Sequence, residues 1–171
     1  FEAGLASIDS IVSLLPAAPE YSIEILEETV ESYPYLARTD SCVLHDDSLA
    51  AAYGKCFGMV GMVMGSQGAN FAGMPFVLNE KWAPETGWFW FTAGIPVDSV
   101  TAGTEAVHSA MSYGGKVVRG VHVGPYGTLP ESHEEITRYL EANGLEENGN
   151  SWEQYVDDPG TVAESELRTF V

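Results

Sequence analysis

Basic residues are scarce in this chain. Its 171 residues include 7 Lys and Arg against 25 Asp and Glu, which gives a formal net charge of −18. A surface of that sign repels nucleic-acid phosphates and anionic lipid headgroups. We therefore expect neither direct nucleic-acid binding nor attraction to an anionic membrane surface.

Cysteines and long apolar runs are also few. Cys42 and Cys56 are the only cysteines, too few for a disulfide framework in a chain of this length and suited to a reducing, cytoplasmic compartment. The richest apolar run, 56–64, is about half the roughly 20 residues that a bilayer requires. We expect no membrane insertion by this segment.

The motifs of several common sites are missing. The four histidines share no metal-ligand spacing, and no Gly-x-Ser-x-Gly elbow is present. The glycine-rich stretch 65–73 lacks the Lys-Ser/Thr ending of a phosphate loop. His122 lies in an apolar strand, which favours a structural histidine over a general base. We therefore predict no metal or cofactor and assign no catalytic residue on these motifs.

The apolar content, 45%, predicts a real hydrophobic core in one domain. Residues 1–15 have apolar residues at helical spacing, and a Pro-rich linker follows to residue 19. From residue 20 the chain shows the order strand, helix, strand, strand twice, in repeats of about 20–100 and 104–171. We predict an α+β fold: a curved antiparallel sheet, both helices on one face, the other face concave and available, and a cleft between the halves.

The pattern also predicts where the elements lie. The first strand is expected to be one long, bulged strand from residue 21 to 43 that is interrupted near Pro34. Residues 106–123 are expected to form a strand pair or one bent strand. Thr128 and Glu131 form a capping-box signature for the second helix. The other predicted elements are a helix from 46 to about 64 and strands at 74–79, 88–97, 152–156 and 166–171.

The strand at 152–156 carries the candidate functional carboxylate, Glu153. Side chains alternate along a strand, so Glu153 shares one face with Tyr155. If that face is inward, the carboxylate must be paired, protonated or available to a cationic or hydrogen-bonding ligand. If the face is outward, Glu153 is one of many solvated acids, and the pattern alone does not decide between these interpretations.

Aromatic residues supply candidate walls for a site around Glu153. Tyr126, Tyr155, Trp88 and Trp90 are the predicted ligand-binding partners of this carboxylate. An aromatic box around one acid suits hydrophobic or cationic planar ligands through stacking, cation–π attraction and charge pairing. A small-molecule ligand is therefore the expected partner.

Several strings, in this order and spacing, resemble the GyrI-like family of effector-binding domains, found alone and at the C-terminus of AraC-type and MerR-type multidrug-responsive regulators. The resemblance spans about residues 20–171 and is most specific in the second half. The strings are Met74-Pro-Phe-Val-Leu, Gly94-Ile-Pro-Val, Val121-His-Val-Gly-Pro-Tyr-Gly-Thr-Leu, Trp152-Glu-Gln-Tyr, Asp158-Pro and Leu167-Arg-Thr-Phe-Val.

The resemblance implies a duplicated sheet with a central cleft in which lipophilic, often cationic, compounds bind against the glutamate matching Glu153. Some stand-alone relatives hydrolyse cyclopropane-containing natural products with the equivalent glutamate. Residues 1–15 also resemble the closing helix of an SRPBCC (START-like) domain, which implies such a domain upstream in a full-length protein. The chain has no helix-turn-helix of its own.

Two functions remain open from the sequence. In the first, Glu153 binds a small molecule and no bond breaks, and we favour this because the sequence offers no second catalytic partner. In the second, Glu153 is the general base of a hydrolase acting on cyclopropanoid electrophiles.

Overall fold

A computed structural model describes residues 19–171, except for the side chains of Asp46 and Asp47. The helix predicted over 1–15 lies outside the described residues. The described chain contains eight strands, two α-helices (α1 and α2) and two 3₁₀ turns. In chain order these are β1 (Glu24–Val30), β2 (Pro34–Val43), α1 (Asp46–Gln67), β3 (Phe76–Ala83), β4 (Trp88–Pro96), β5 (His108–Met111), β6 (Gly115–Val123), a 3₁₀ turn (Tyr126–Thr128), α2 (Leu129–Asn143), β7 (Trp152–Tyr155), a 3₁₀ turn (Glu164–Glu166) and β8 (Arg168–Phe170).

All eight strands form one antiparallel sheet in the order β1-β6-β8-β7-β3-β4-β2-β5. The three-strand groups β2-β4-β3 and β6-β8-β7 correspond to each other and meet at the central β3–β7 pair. Each group contains one crossover helix, between its first and second strands in chain order. The predicted α+β class with a single curved antiparallel sheet is therefore confirmed.

The first strand and the 106–123 segment differ from their predictions. The chain from 21 to 43 forms two separate strands, since β1 pairs with β6 while β2 pairs with β4 and β5. Likewise β5 and β6 do not pair with each other. In each half, the leading strand is added to the outer edge of the other half, and alternation along the chain carries no information about such a distant partner.

This exchange of edges requires strong curvature. Val30 and Pro34 are joined by three residues, which span at most about 14 Å. On a flat sheet, β1 and β2 would be six strand spacings of about 4.8 Å apart, roughly 29 Å. The sheet must therefore curl until its two ends approach each other.

Two short connections cross where the sheet ends meet. Ser32 Oγ donates to the carbonyl of Ser112, and the Tyr33 amide donates to Ser112 Oγ. The Tyr33 ring packs edge-on against Phe76 of β3, which lies on the face away from the helices. The sheet therefore curves toward that face, which we call the helix-free face.

Both helices pack on the opposite face, which we call the helix face. α1 packs on β2 and β4, where Cys56 joins Val77 and Phe91 in a fully buried cluster. α2 packs on β6, where Ser132 hydrogen-bonds His122. Side chains of both helices therefore meet side chains of the sheet in one layer on the helix face.

The helix ends depart modestly from the predicted pattern. α1 continues to Gln67 and ends at Gly68, whose φ of 67° is the left-handed geometry that glycine accepts without strain. At the start of α2 no side-chain cap forms, because Thr128 Oγ1 donates to the carbonyl of Pro125 instead.

Neither described helix is long and apolar enough to cross a membrane.

Candidate functional site

The site is centred on Glu153, in the middle of the sheet. Its Cα is paired with that of Val77 across the central β3–β7 pair, and Val77 belongs to the buried cluster under α1. Glu153 therefore lies on the helix face, and only 9% of the residue is exposed. The structure thus favours the inward interpretation: this carboxylate requires partners.

Two side chains supply those partners. Tyr155 Oη donates to Glu153 Oε2 at 2.9 Å, from two residues further along the same strand. His133 Nε2 lies 3.0 Å from Glu153 Oε1 and reaches it from α2. Because a carboxylate accepts only, the imidazole nitrogen is the donor in this contact. Each oxygen of Glu153 therefore has one protein donor.

Aromatic rings surround the carboxylate and its tyrosine partner. The Tyr155 ring contacts Tyr126 of the 3₁₀ turn, with centroids 5.5 Å apart and planes at 75°. From α1, Phe57 and Tyr53 approach Tyr155 with centroid distances of 6.4 and 6.5 Å. These tilted and edge-on contacts are the favourable geometries for aromatic pairs. The wall of the site is thus built from β7, the turn and α1.

The electrostatics keep the tyrosine hydroxyls protonated. Burial, together with the charge of Glu153, raises the pKa of Tyr155 well above its usual value. Burial and the same carboxylate also raise the pKa of Tyr53. Burial, followed by the charge of Asp157, raises the pKa of Tyr126. Tyr155 therefore remains a hydrogen-bond donor to Glu153 throughout the neutral range.

The adjacent part of the sheet contains an unsatisfied polar group. Thr169 of β8 is paired with Tyr155 on one side and His122 on the other, so it lies on the same face as Glu153. It is fully buried, and Thr169 Oγ1 has no hydrogen-bond partner among the described residues. His122, by contrast, contacts Ser132 Oγ and the Pro125 carbonyl oxygen. The sheet at the floor of the site therefore carries a hydroxyl, that of Thr169, with no partner among the described residues, beside Tyr155.

The structure brings together three of the five predicted ligand-binding residues. Glu153, Tyr155 and Tyr126 are neighbours, whereas Trp88 and Trp90 lie on the helix-free face. The reason is alternation along β4, which points Phe91 into the core under α1 and Trp90 away from it. Trp90 instead lies beneath Lys81 Nζ, 5.4 Å from its ring centroid.

Sequence reasoning missed three residues of the site. His133 is on a helix rich in acids and reads as a solvated position, and only its placement above β7 reveals its partner. Tyr53 and Phe57 are one helical turn apart on α1. That spacing is the usual signal of a buried helix stripe, which does not distinguish core packing from the wall of a site.

A shallow groove of about 410 Å³ begins at His133 and runs along α2; its lining residues are His133, Glu134, Thr137, Arg138 and Glu141. Among the side chains that the structure describes, no group of three or more metal-ligating residues comes together.

The fold defines a two-module α+β domain with a buried carboxylate beside aromatic side chains. The sequence matches the family described as "GyrI-like small molecule binding domain" over residues 26–171. The chain belongs to the GyrI-like family. A search of curated proteins found no significant match.

Solved structures agree on the fold. The chain is similar to the crystal structure of the EcmrR C-terminal domain, with a TM-score of 0.76, 14% identity, and coverage of 88% of this chain and 95% of that one. In the EcmrR–DNA complex the TM-score is again 0.76 at 16% identity, covering 97% of this chain and 62% of that longer chain.

Two further solved structures share the fold. A structure described as a hydrolase from Listeria innocua matches with a TM-score of 0.60 and 16% identity, over 96% of this chain and 95% of that one. SAV2435, solved bound to tetraphenylphosphonium, matches with a TM-score of 0.54 and 13% identity, over 86% and 91%. At these identities the likeness concerns the fold alone.

Proposed function

We propose that this domain binds lipophilic, cationic small molecules at Glu153, in a sensing or sequestering role. The ligand's positive charge pairs with the carboxylate, and its apolar groups pack against Tyr155, Tyr126 and Tyr53. The domain belongs to a small-molecule-binding family. The ligand class and the site residues are our inference.

The observation that carries the proposal is the buried carboxylate within an aromatic wall. A buried carboxylate costs several kcal/mol of desolvation unless it is well paired. Hydrophobic residues of similar volume would fill the same space at no such cost. Even with its two partners, Glu153 at the centre of the sheet stabilises the fold no more than such residues would, whereas it is suited to recognise a positive charge out of water.

The charge of the whole molecule supports the same ligand class. With a net charge of −18, the domain attracts cations and repels anions over a range of about one Debye length. A cationic ligand therefore reaches the surface at a higher local concentration than an anionic one.

A thermal-shift screen tests the ligand class. The wild type and Glu153→Gln are screened against lipophilic cations, neutral planar compounds and fatty-acid-like molecules. Because a ligand that binds only the native state stabilises it, we expect the cations to raise the melting temperature of the wild type most. Glu153→Gln should lose that cation-selective rise. A response equal for all three classes, or unchanged in the variant, contradicts the proposal.

Hydrolysis of electrophilic cyclopropanoid compounds is the second candidate function. The contact that favours it is the one between Glu153 and His133, since a carboxylate beside an imidazole is an arrangement that activates water in many hydrolases. Under this alternative Glu153→Gln keeps substrate binding and stops turnover. Turnover that persists in Glu153→Gln contradicts the catalytic role.

A further inference from the structure

His133 occupies the place beside Glu153 where the positive charge of a cationic ligand would lie. Glu153 Oε1 accepts from His133 at 3.0 Å, while Oε2 accepts from Tyr155 at 2.9 Å. The tyrosine is held in place by the strand and by three aromatic neighbours. The histidine is attached through α2 alone, so of the two donors it is the one that a ligand is able to replace.

The position of His133 also separates the carboxylate from solvent. Its side chain is 29% exposed, whereas that of Glu153 is 11% exposed. The groove along α2 begins at His133. We expect rotation of this one imidazole, without unfolding of α2, to give a ligand access to the carboxylate.

We propose that His133 is a resident counter-cation of Glu153, and that a lipophilic cation binds by displacing it, so that binding is coupled to protonation of the histidine. This inference rests on the proposed binding of cations at Glu153. When His133 is protonated, its charge competes with the ligand for one carboxylate and repels the ligand as well. When it is neutral, the competition is reduced to a single hydrogen bond. Acidification therefore weakens cation binding.

His133 is the histidine that contacts Glu153. Glu153 and Tyr155 of β7 lie opposite His133. On the 3₁₀ turn, Tyr126 lies beside Tyr155. The neighbours of His133 along α2 are Glu134, Arg138 and Glu141. Carboxylates ordinarily titrate near 4, tyrosines near 10 and arginine above 12, while histidine titrates at about 6.5. His122, on β6 below α2, is the other histidine on this face.

The test measures tetraphenylphosphonium binding by calorimetry between about pH 5.5 and about pH 7.5, in buffers of different ionisation enthalpy. Over that interval the neutral fraction of a typical histidine rises from about one-tenth to about nine-tenths. We expect the wild-type affinity to rise about tenfold, with up to one proton released per ligand at the acidic end. Triphenylphosphine oxide, a neutral relative of the probe, should show no such dependence.

Two variants test whether His133 is the group that releases the proton on ligand binding. His133→Gln keeps a hydrogen-bond donor without a titrating charge, and its affinity should vary less than about twofold over the same interval. His108→Gln removes an exposed histidine on β5, outside the site, and should behave as the wild type. The proton count needs no variant, so it stands even if a substitution impairs folding.

Failure of the role proposed for His133 is distinguishable from failure of the proposed function. Binding that is tight but independent of pH in the wild type overturns the role of His133 and leaves the proposed function intact. Equal pH dependence in the wild type and His133→Gln does the same. An absence of binding to every form of the protein at every pH overturns both.

Discussion

Tyr155 has two roles in the site, as hydrogen-bond donor and as aromatic wall. Its hydroxyl donates to Glu153, and its ring contacts Tyr126 and Phe57. The two roles belong to different atoms of one side chain and are separable by substitution.

Tyr155→Phe removes the hydroxyl and keeps the ring. The buried Oε2 of Glu153 then loses its donor, which should lower the free energy of unfolding at neutral pH by about 1–3 kcal/mol. Urea denaturation measures the change. The matched control is Tyr126→Phe, on a residue that is 37% exposed, which should change stability by less than about 0.5 kcal/mol. Equal losses in the two variants contradict the assigned hydrogen bond.

The raised tyrosine pKa values predict a loss of stability in alkali. In the unfolded chain tyrosine ionises near pH 10, while burial raises the pKa of Tyr155 and Tyr53 in the folded protein. Their stabilising contribution is therefore complete below about pH 10 and is lost as the pH rises above that value. In a titration followed by tyrosinate absorbance, these two should ionise only with unfolding, seen by circular dichroism. Reversible ionisation of all tyrosines in the folded state contradicts this.

Thr169→Val tests the unsatisfied hydroxyl on the floor of the site. Because Thr169 Oγ1 has no partner among the described residues, replacing it with a methyl group of similar size removes a desolvation cost. The free energy of unfolding should stay the same or increase by up to about 1 kcal/mol. A loss of more than about 1 kcal/mol in urea denaturation shows instead that the hydroxyl is paired.

At the residue scale, alternation along the strands predicted on which face Glu153 and part of its aromatic surroundings lie. Alternation predicted that Glu153 and Tyr155 share one face of their strand and that Trp90 and Phe91 lie on different faces of theirs. The structure shows both arrangements. Alternation does not say which face of a strand points inward, so Trp88 and Trp90 were grouped with a carboxylate on the other side of the sheet. His133 was missed because its partner is 20 residues away, on another element.

At the scale of elements, the crossing of two short connections determines the curvature. Residues 31–33 and 112–114 each link opposite ends of the sheet and hydrogen-bond to each other where they cross. Without this crossing, β1 and β5 would not reach the outer edges of the other half.

Gly114→Ala tests how closely these connections approach. A Cβ at Gly114 would lie 3.0 Å from the backbone nitrogen of Ser32, so the chains must separate to admit it. We expect a loss of about 1–3 kcal/mol in the free energy of unfolding, measured in urea. Gly127→Ala is the matched control, since nothing lies within 4 Å of its Cβ, and it should have little effect. Equal stability of the two variants contradicts the close crossing.

Elements were predictable where they depend on local sequence. The helices and central strands follow from periodicity, and Gly68 and Gly144 end the helices with the left-handed geometry that glycine favours. The interruption near Pro34 was predicted, but the pairing of β1 with the far end of the sheet was not predictable, because its partners lie about 90 residues away in β6. Register with a distant strand is a property of the folded sheet.

At the scale of the whole molecule, the two halves bring both helices to one face of the sheet, on either side of the central strand pair. Glu153 lies on this central pair, with α1 contributing aromatic rings and α2 contributing His133. The helix-free face has its own carboxylate, Glu80, which accepts from Thr92 and Asn150 at 2.8 Å each. Glu153 and Glu80 are therefore two hydrogen-bonded acids on opposite faces of one sheet, and the effects of removing each charge are directly comparable.

The most direct test of the central claim compares these two acids. Calorimetry at pH 7.5 measures the affinity of tetraphenylphosphonium for the wild type, Glu153→Gln and Glu80→Gln, which remove the same charge from opposite faces. We predict that Glu153→Gln loses at least about tenfold in affinity, equivalent to about 1.4 kcal/mol, while Glu80→Gln binds as the wild type does. Equal losses in the two variants, or a loss confined to Glu80→Gln, would contradict the assignment of the ligand to Glu153.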